Sequence, residues 1–122
     1  MNPAFPVIFA RLRDLLERNG GSLAVAVDEA KHYCLAVPFN PKLKKRFPTG
    51  WVRIEKNYVS YHFMPIYMFP ELSRGLSKKL LARMQGKSCF NFKTVDEALF
   101  KELERLTKRG FALAKKSGFG PK

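Results

Sequence analysis

The chain has 122 residues, of which 46% are hydrophobic and eleven are Phe, so it is long enough for one globular domain and too apolar to be disordered. Its 23 Lys and Arg outnumber 10 Asp and Glu, and the net charge of +13 favours phosphate-rich or other anionic partners. Two cysteines exclude a disulfide framework, and the lack of a signal-peptide order at residues 1–16 and of an apolar run of about 20 residues indicates a cytoplasmic protein without a membrane segment.

The N-terminal residues predict one helix. Asn2 followed by Pro3 is typical of a helix start, with an N-cap and a proline in the first turn. Residues 19–21, Asn-Gly-Gly, predict its end, which gives a helix of about 16 residues. Its apolar side, which we expect to pack on one side only, consists of Phe5, Ile8, Phe9, Leu12, Leu15 and Leu16.

Four extended segments follow and form two predicted hairpins. Residues 23–27 and 32–39 are rich in β-branched and aromatic side chains and are joined by a short polar connection. Residues 51–55 and 58–63 form the second pair, across a two-residue turn. Residues 40–50 contain two prolines, a glycine and four basic residues, which predicts a loop between the hairpins.

The next segments predict a connection, a short helix and a strand. Pro65 and Pro70 bracket an aromatic connection at residues 64–69. Residues 77–84 have apolar side chains at helical spacing, and residues 89–93 form a short fifth strand.

A long helix ends the predicted fold. Thr94 and Glu97 have the spacing of a capping box and open this helix. Gly110 falls on its apolar stripe and either ends the helix or lets it pass close to the sheet. The sequence thus predicts a single α+β domain over residues 1–118, of order α-β-β-β-β-α-β-α, with a five-stranded, mainly antiparallel sheet, helices on one face and a short tail at 119–122.

The second hairpin indicates which side chains share a face of the sheet. If Lys56 and Asn57 form the turn, Glu55 pairs with Tyr58 and the other pairs follow in order. One face, suited to pack against the helices, then carries Val52, Ile54, Val59, Tyr61, Phe63, Phe90 and Phe92. The other face mixes aromatic, basic and hydrogen-bonding groups, namely Trp51, Arg53, Glu55, Tyr58, Ser60, His62, Cys89 and Asn91.

Two kinds of chemistry are considered and disfavoured. His32 and Cys34, with His62 and Cys89, combine ligand types that suit a metal, but they lack the spacing of a specific metal motif, so we predict neither a metal nor a cofactor. Cys89 would need activation as a nucleophile, for which Lys87 could lower its pKa. The string Gly-Lys-Ser before it lacks the upstream glycine of a phosphate loop and enters a strand, so no catalytic residue is predicted.

Three clusters hold most of the positive charge, which is also compatible with solubility alone. The first, in the predicted loop, is Lys42, Lys44, Lys45 and Arg46. The second, around the short helix, is Lys78, Lys79, Arg83 and Lys87. The third, on the last helix, is Lys101, Arg105, Lys108, Arg109, Lys115 and Lys116. We expect the third cluster to pair with glutamates on its own helix at three- and four-residue spacing, so the first two are better candidates for contacts with anions.

Two strings of this chain, KNYVSYHFMPIY at residues 56–67 and MQGKSCFNFK at 84–93, resemble the YdhG-like family, a bacterial domain family of unknown function. The resemblance implies a compact α+β fold and a cytoplasmic bacterial protein. Because this family is sometimes grouped with frataxin-like proteins, the resemblance also implies metal handling, an iron–sulfur-related role or a protein-binding sheet. Iron binding of the frataxin kind needs a carboxylate-rich ridge, whereas the first helix offers only Asp14 and Glu17.

The leading hypothesis is a non-enzymatic binding domain, monomeric or homodimeric, whose ligand or protein partner is unidentified. A frataxin-like metal role and a nucleic-acid-binding module are the alternatives. The predicted ligand-binding residues are Trp51, Arg53, Tyr58, His62, Lys87 and Cys89.

Overall fold

Six strands form one antiparallel sheet in the order β1-β2-β3-β4-β6-β5. The computed structural model describes residues 2–40 and 45–117, with the side chains of 38–40 and 45–46 outside the description. The strands are β1 (Ala24–Glu29), β2 (His32–Asn40), β3 (Lys45–Ile54), β4 (Val59–Phe63), β5 (Met84–Gln85) and β6 (Cys89–Phe92). The α+β class and the antiparallel sheet are therefore confirmed, whereas the predicted number of five strands and the predicted element order are wrong.

The helices are α1 (Phe5–Asn19), α2 (Met64–Met68), α3 (Lys78–Leu81) and α4 (Glu97–Lys116), with a 3-10 helix at Pro70–Ser73. The sequence predicted α1 and α4 nearly in full, but it missed α2 inside the predicted connection. Within the described ranges, no helix combines the length and the apolar character needed to cross a membrane. The predicted tail at 119–122 lies outside the described residues.

The face assignment from the second hairpin is confirmed. The backbone N–H of Glu55 donates to the carbonyl of Tyr58 at 2.8 Å, and Ile54 pairs with Val59, so the turn has two residues. The buried side of β3, β4 and β6 packs against α1 and α4 in one continuous core. Its fully buried members include Leu12, Leu16, Val52, Tyr61, Phe63, Phe90, Phe92, Leu103 and Leu106.

Strand β5 replaces the end of the predicted helix at 77–84. Helix α3 ends at Leu81, and the carbonyl of Arg83 then accepts from the backbone N–H of Asn91 at 2.8 Å. Gly86, at a φ of 74°, turns the chain back into β6. The pairing partner lies further along the chain, so the local apolar spacing gave no indication of this short strand.

The described residues of the predicted loop at 40–50, namely Asn40 and residues 45–50, are strand, and its residues 41–44 lie outside the described part. Val37 pairs with Phe47 and Ala36 with Pro48, with register shifts on either side. Pro48 lacks a backbone donor, and an irregular register is where a sheet tolerates such a residue. The pairing of β2 with β3 therefore overrides the local signal of Pro48 and Gly50.

Two details of α4 differ from a simple reading of its sequence. Asp96, not Thr94, caps the helix, because its Oδ1 accepts from the backbone N–H of Leu99 at 3.1 Å. The helix also runs through Gly110, where a Cβ atom would lie 2.3 Å from the ring of Phe63. Gly110 thus lets α4 pass close to the sheet at Phe63, the second of the two predicted roles.

The glutamates of α4 bind other elements. Arg11 of α1 pairs with Glu97, and Arg18 pairs with Glu104 at 2.9 Å. Glu102 accepts from the backbone N–H and hydroxyl of Ser77, both at 2.6 Å. The predicted ion pairs between these glutamates and basic residues of their own helix are not formed in the described part of the chain, where Lys101 acts on Glu97 only through its charge. The glutamates instead fasten α1 and the start of α3 to α4.

Candidate binding face of the sheet

The side chains of β2, β3, β4 and β6 that point away from the helices form a surface that we call the second sheet face. It comprises His32, Cys34, Trp51, Arg53, Ser60, His62, Cys89 and Asn91. Strand pairing arranges them in two neighbouring rows across the sheet. The rows place side chains from distant parts of the sequence next to one another.

The first row runs Cys34, Trp51, His62, Cys89. The rings of Trp51 and His62 are stacked, with centroids 4.6 Å apart and an interplanar angle of 12°. Both side chains remain partly exposed, while the two cysteines at the ends of the row are buried. The centre of the row is therefore a stacked aromatic pair that is partly accessible to solvent.

The second row runs His32, Arg53, Ser60, Asn91. Arg53 is half exposed and its Nε lies 3.5 Å from a carboxylate oxygen of Glu55. Ser60 is only 2% exposed, and its hydroxyl oxygen has no hydrogen-bond partner among the described residues. Ser60 is therefore a small side chain enclosed by larger ones on this face, with its hydroxyl shielded from solvent.

Tyr58 stands at the end of the second sheet face, just outside β4. It is partly exposed and borders a hollow of about 280 Å³ with Arg83, Gln85, Asn91 and Lys93 among the lining residues. The sequence placed Tyr58 correctly on this face, but nothing in the local pattern indicated that Arg83, which follows α3, and Lys93, which follows β6, lie beside it.

The two histidines are adapted to the neutral form. Burial lowers the pKa of His62, and the positive charge of Arg53 acts in the same direction. Burial likewise lowers the pKa of His32, again with Arg53 contributing. At neutral pH both imidazoles are therefore uncharged and act as hydrogen-bonding or stacking groups.

The two thiols are poorly suited to act as nucleophiles. Burial, and next the negative charge of Glu55, raises the pKa of Cys89 to about 11. Burial also raises the pKa of Cys34. The prediction that Lys87 could lower the pKa of Cys89 is wrong, because burial dominates at this thiol.

The histidines and cysteines do not form a common site. Trp51 lies between Cys34 and His62 in the first row, and the thiol of Cys89 donates to Oδ1 of Asn91 at 3.3 Å. Across the described ranges, no group of three or more His, Cys, Asp or Glu side chains is arranged to hold a metal ion.

Of the six predicted binding residues, the structure brings together Trp51, Arg53, His62 and Cys89, with Tyr58 at the margin. Lys87 is instead exposed in the turn after β5 and borders a separate, largely apolar hollow with Tyr67 and Leu81. The first basic cluster, at residues 42–46, lies outside the described side chains.

A groove at the edge of the sheet was not predicted. It consists of the hollow beside Tyr58 and an adjoining hollow of about 310 Å³, and the two share Ala82, Arg83 and Lys93. We call it the edge groove. One sequence signal was available, since residues 72–95 contain basic side chains but no Asp or Glu.

Neither a family model nor a curated protein nor a solved structure matches this chain, so the interpretation of the site rests on its own geometry and chemistry.

Proposed function

We propose that this domain is a non-enzymatic binding module that holds an anionic ligand or partner on the second sheet face. The observation that carries the proposal is the arrangement of Trp51 and His62 as a partly exposed stack beside the exposed guanidinium of Arg53. Stacking rings next to a cation offer both apolar contact and charge to a ligand.

The charge distribution supports an anionic ligand. Eight of the ten acidic side chains already have a partner within the described residues, namely Asp14, Glu17, Asp28, Glu55, Asp96, Glu97, Glu102 and Glu104. All of the ion pairs use arginine, so no lysine of the described part is neutralised by an ion pair. The large positive charge therefore remains available to attract anions from a distance.

The same distribution argues against the metal-linked alternative. On α1, Asp14 pairs with Arg18 at 2.8 Å and Glu17 lies 3.8 Å from Arg13. A cation would have to compete with these arginines for the carboxylates. The YdhG-like resemblance and the bacterial cytoplasm remain part of the proposal, supported by the two strings of sequence that carry that resemblance.

Fluorescence of Trp51, the single tryptophan, tests the binding proposal directly. We expect the emission to change on titration with at least one of single-stranded RNA, single-stranded DNA, heparin and inorganic phosphate. Arg53→Gln should weaken that binding about tenfold, because it removes one charge-assisted contact. Lys115→Gln, an equal change of charge on the exposed surface of α4, should have little effect.

No change of emission with any of these ligands would contradict the proposal, as would equal weakening by the two variants. The non-enzymatic part has its own test. A thiol of pKa about 11 should react slowly with iodoacetamide at neutral pH in the folded protein and quickly after unfolding in urea. Fast alkylation of Cys89 in the folded protein would instead favour a catalytic role.

A further inference from the structure

Residues 72–95 carry an uncompensated positive charge. This stretch contains six cations and no acid, and the cations are Arg74, Lys78, Lys79, Arg83, Lys87 and Lys93. None of them forms an ion pair with another described residue. A run of 24 residues with this composition, between α2 and α4, creates a local positive field that is stronger than the average over the chain.

The fold gathers three of these cations in the edge groove. Lys79 and Arg83 come from α3 and the residues after it, while Lys93 directly follows β6. The hydrogen bond between the carbonyl of Arg83 and the backbone N–H of Asn91 holds the two chain segments side by side. The outer hollow, about 310 Å³, is lined by all three cations together with Thr94.

One acidic side chain also borders the outer hollow. Asp96 lines it, but its Oδ1 accepts from the backbone N–H of Leu99 as the cap of α4. Three cations face this single carboxylate, so the hollow keeps a net positive lining. The start of α4 adds the positive end of the helix dipole to the same place.

The groove leads onto the second sheet face. Arg83 and Lys93 also line the inner hollow, where they meet Tyr58 and Asn91. Asn91 lies opposite Ser60, and Ser60 lies next to His62 on β4. A ligand that follows the groove inward therefore passes from cations to the phenol ring of Tyr58 and the amide of Asn91, and then to the stacked rings of Trp51 and His62.

We propose that the edge groove binds the phosphates of a single-stranded nucleic acid whose bases lie on the second sheet face. This inference rests on the function proposed above and names the class of its ligand. An isolated phosphate would use the cations but not the aromatic surface, and a duplex would keep its bases stacked inside and unavailable to the rings. A single strand alternates phosphates with exposed bases, which matches a basic groove that continues into aromatic side chains.

Fluorescence anisotropy with a labelled oligo(dT) of about 12 nucleotides tests the proposal, a length within the range that small sheet domains cover. The variant Arg83→Gln/Lys93→Gln removes the two cations shared by both hollows. We expect it to weaken binding about tenfold or more at low salt and to reduce the slope of log K against log salt by about 1.4, since each phosphate contact on a single strand contributes about 0.7.

Lys108→Gln/Arg109→Gln is the matched control, because both residues are exposed on α4 and the charge changes by the same amount. It should leave the affinity and the salt slope close to those of the unchanged protein. Equal weakening by the two double variants would overturn the edge groove as the binding site and leave only general attraction to the charged surface. A circular-dichroism melting curve of each variant confirms that it is folded.

Two further outcomes bear on the ligand class. A duplex of the same sequence that binds as tightly as the single strand would overturn the choice of single strands. Complete displacement of the labelled oligo(dT) by inorganic phosphate at the same concentration as the oligonucleotide would also overturn it. Tryptophan emission separates this inference from the proposed function. If emission changes with the oligonucleotide but Arg83→Gln/Lys93→Gln binds normally, only the edge groove fails. If emission is unchanged with the oligonucleotide but changes with heparin or phosphate, the single-stranded ligand fails and the proposed function stands. If emission changes with none of these ligands, the binding face itself fails.

Discussion

The two faces of the sheet differ in how their aromatic side chains are covered. On the helix-covered face, Phe63 lies at 0% exposure against Phe111 of α4, with ring centroids 5.2 Å apart. On the second face, Trp51 and His62 stack on each other and stay partly exposed. The first arrangement gains stability from burial by helices, whereas the second leaves aromatic surface in contact with solvent.

Polar groups show the same contrast. The hydroxyl of Tyr61 lies 2.6 Å from Oγ1 of Thr107, and Thr107 in turn donates to the carbonyl of Leu103 at 2.8 Å. Tyr61 is therefore the donor in a complete chain of hydrogen bonds. Its neighbour Ser60, on the second face, has an equally buried hydroxyl without a partner in the described structure. The helix-covered face thus satisfies this buried polar pair, whereas the second face leaves a buried hydroxyl unpaired among the described residues.

The largest difference in stability loss between the two faces should come from truncating one aromatic ring on each face. Phe63→Ala removes a fully buried ring and should lower the free energy of unfolding by about 3–5 kcal/mol. Trp51→Ala removes mainly the stacking with His62 and should cost about 1 kcal/mol. Urea unfolding followed by circular dichroism measures both, and similar losses would show that the second face is a packed core as well.

The close approach of α4 should give the next largest effect. In Gly110→Ala the new methyl would lie 2.3 Å from the ring of Phe63 and 3.0 Å from Pro65, so we expect a loss of about 1–3 kcal/mol despite the better helix propensity of alanine. The loss of stability should be smaller when the same change is made in a Phe63→Leu background, because that variant lacks the ring with which the new methyl would clash. An unchanged loss in that background would place the strain elsewhere.

Removal of one hydroxyl group from each face should give a smaller difference in the free energy of unfolding. Tyr61→Phe breaks a buried chain of hydrogen bonds and should cost about 1 kcal/mol. Ser60→Ala should leave stability unchanged or raise it, because no hydrogen bond in the described structure is lost. A clear loss of stability for Ser60→Ala would mean that its hydroxyl is satisfied in solution.

The smallest effect should be a dependence of stability on pH that originates on the second face. Burial lowers the pKa of His62 in the folded protein, so the unfolded chain binds a proton at higher pH than the folded one. The stabilising contribution of the neutral imidazole is complete above the unfolded pKa of about 6.5 and is lost as the pH falls below it. The melting temperature should therefore drop between about pH 7.5 and pH 5.5.

The variant His62→Asn should reduce this drop. His32 has a pKa shift of the same sign, so His32→Asn/His62→Asn should reduce it further. A pH dependence that survives both substitutions would locate the titrating group on another part of the molecule.

The local sequence pattern predicted the structure correctly where residues that are close in sequence are also close in space. The register of the second hairpin follows from a turn at Lys56 and Asn57, so the division between Val52 and Trp51, or between Tyr61 and His62, could be read directly. Helix α1 was predictable for the same reason, because its apolar spacing and its glycine stop are local.

Tertiary structure alone decided the features that depend on pairing between distant segments. Strand β5 forms through the pairing of Met84 with Phe90. The edge groove forms because the hydrogen bond from the backbone N–H of Asn91 to the carbonyl of Arg83 holds these two segments together. The charge of the chain and the composition of the second sheet face were evident in the sequence, whereas the convergence of cations and a phenol along one groove was not. Residue types are set by sequence, but their distances depend on which strands pair, and that choice is made by the packing of the whole domain.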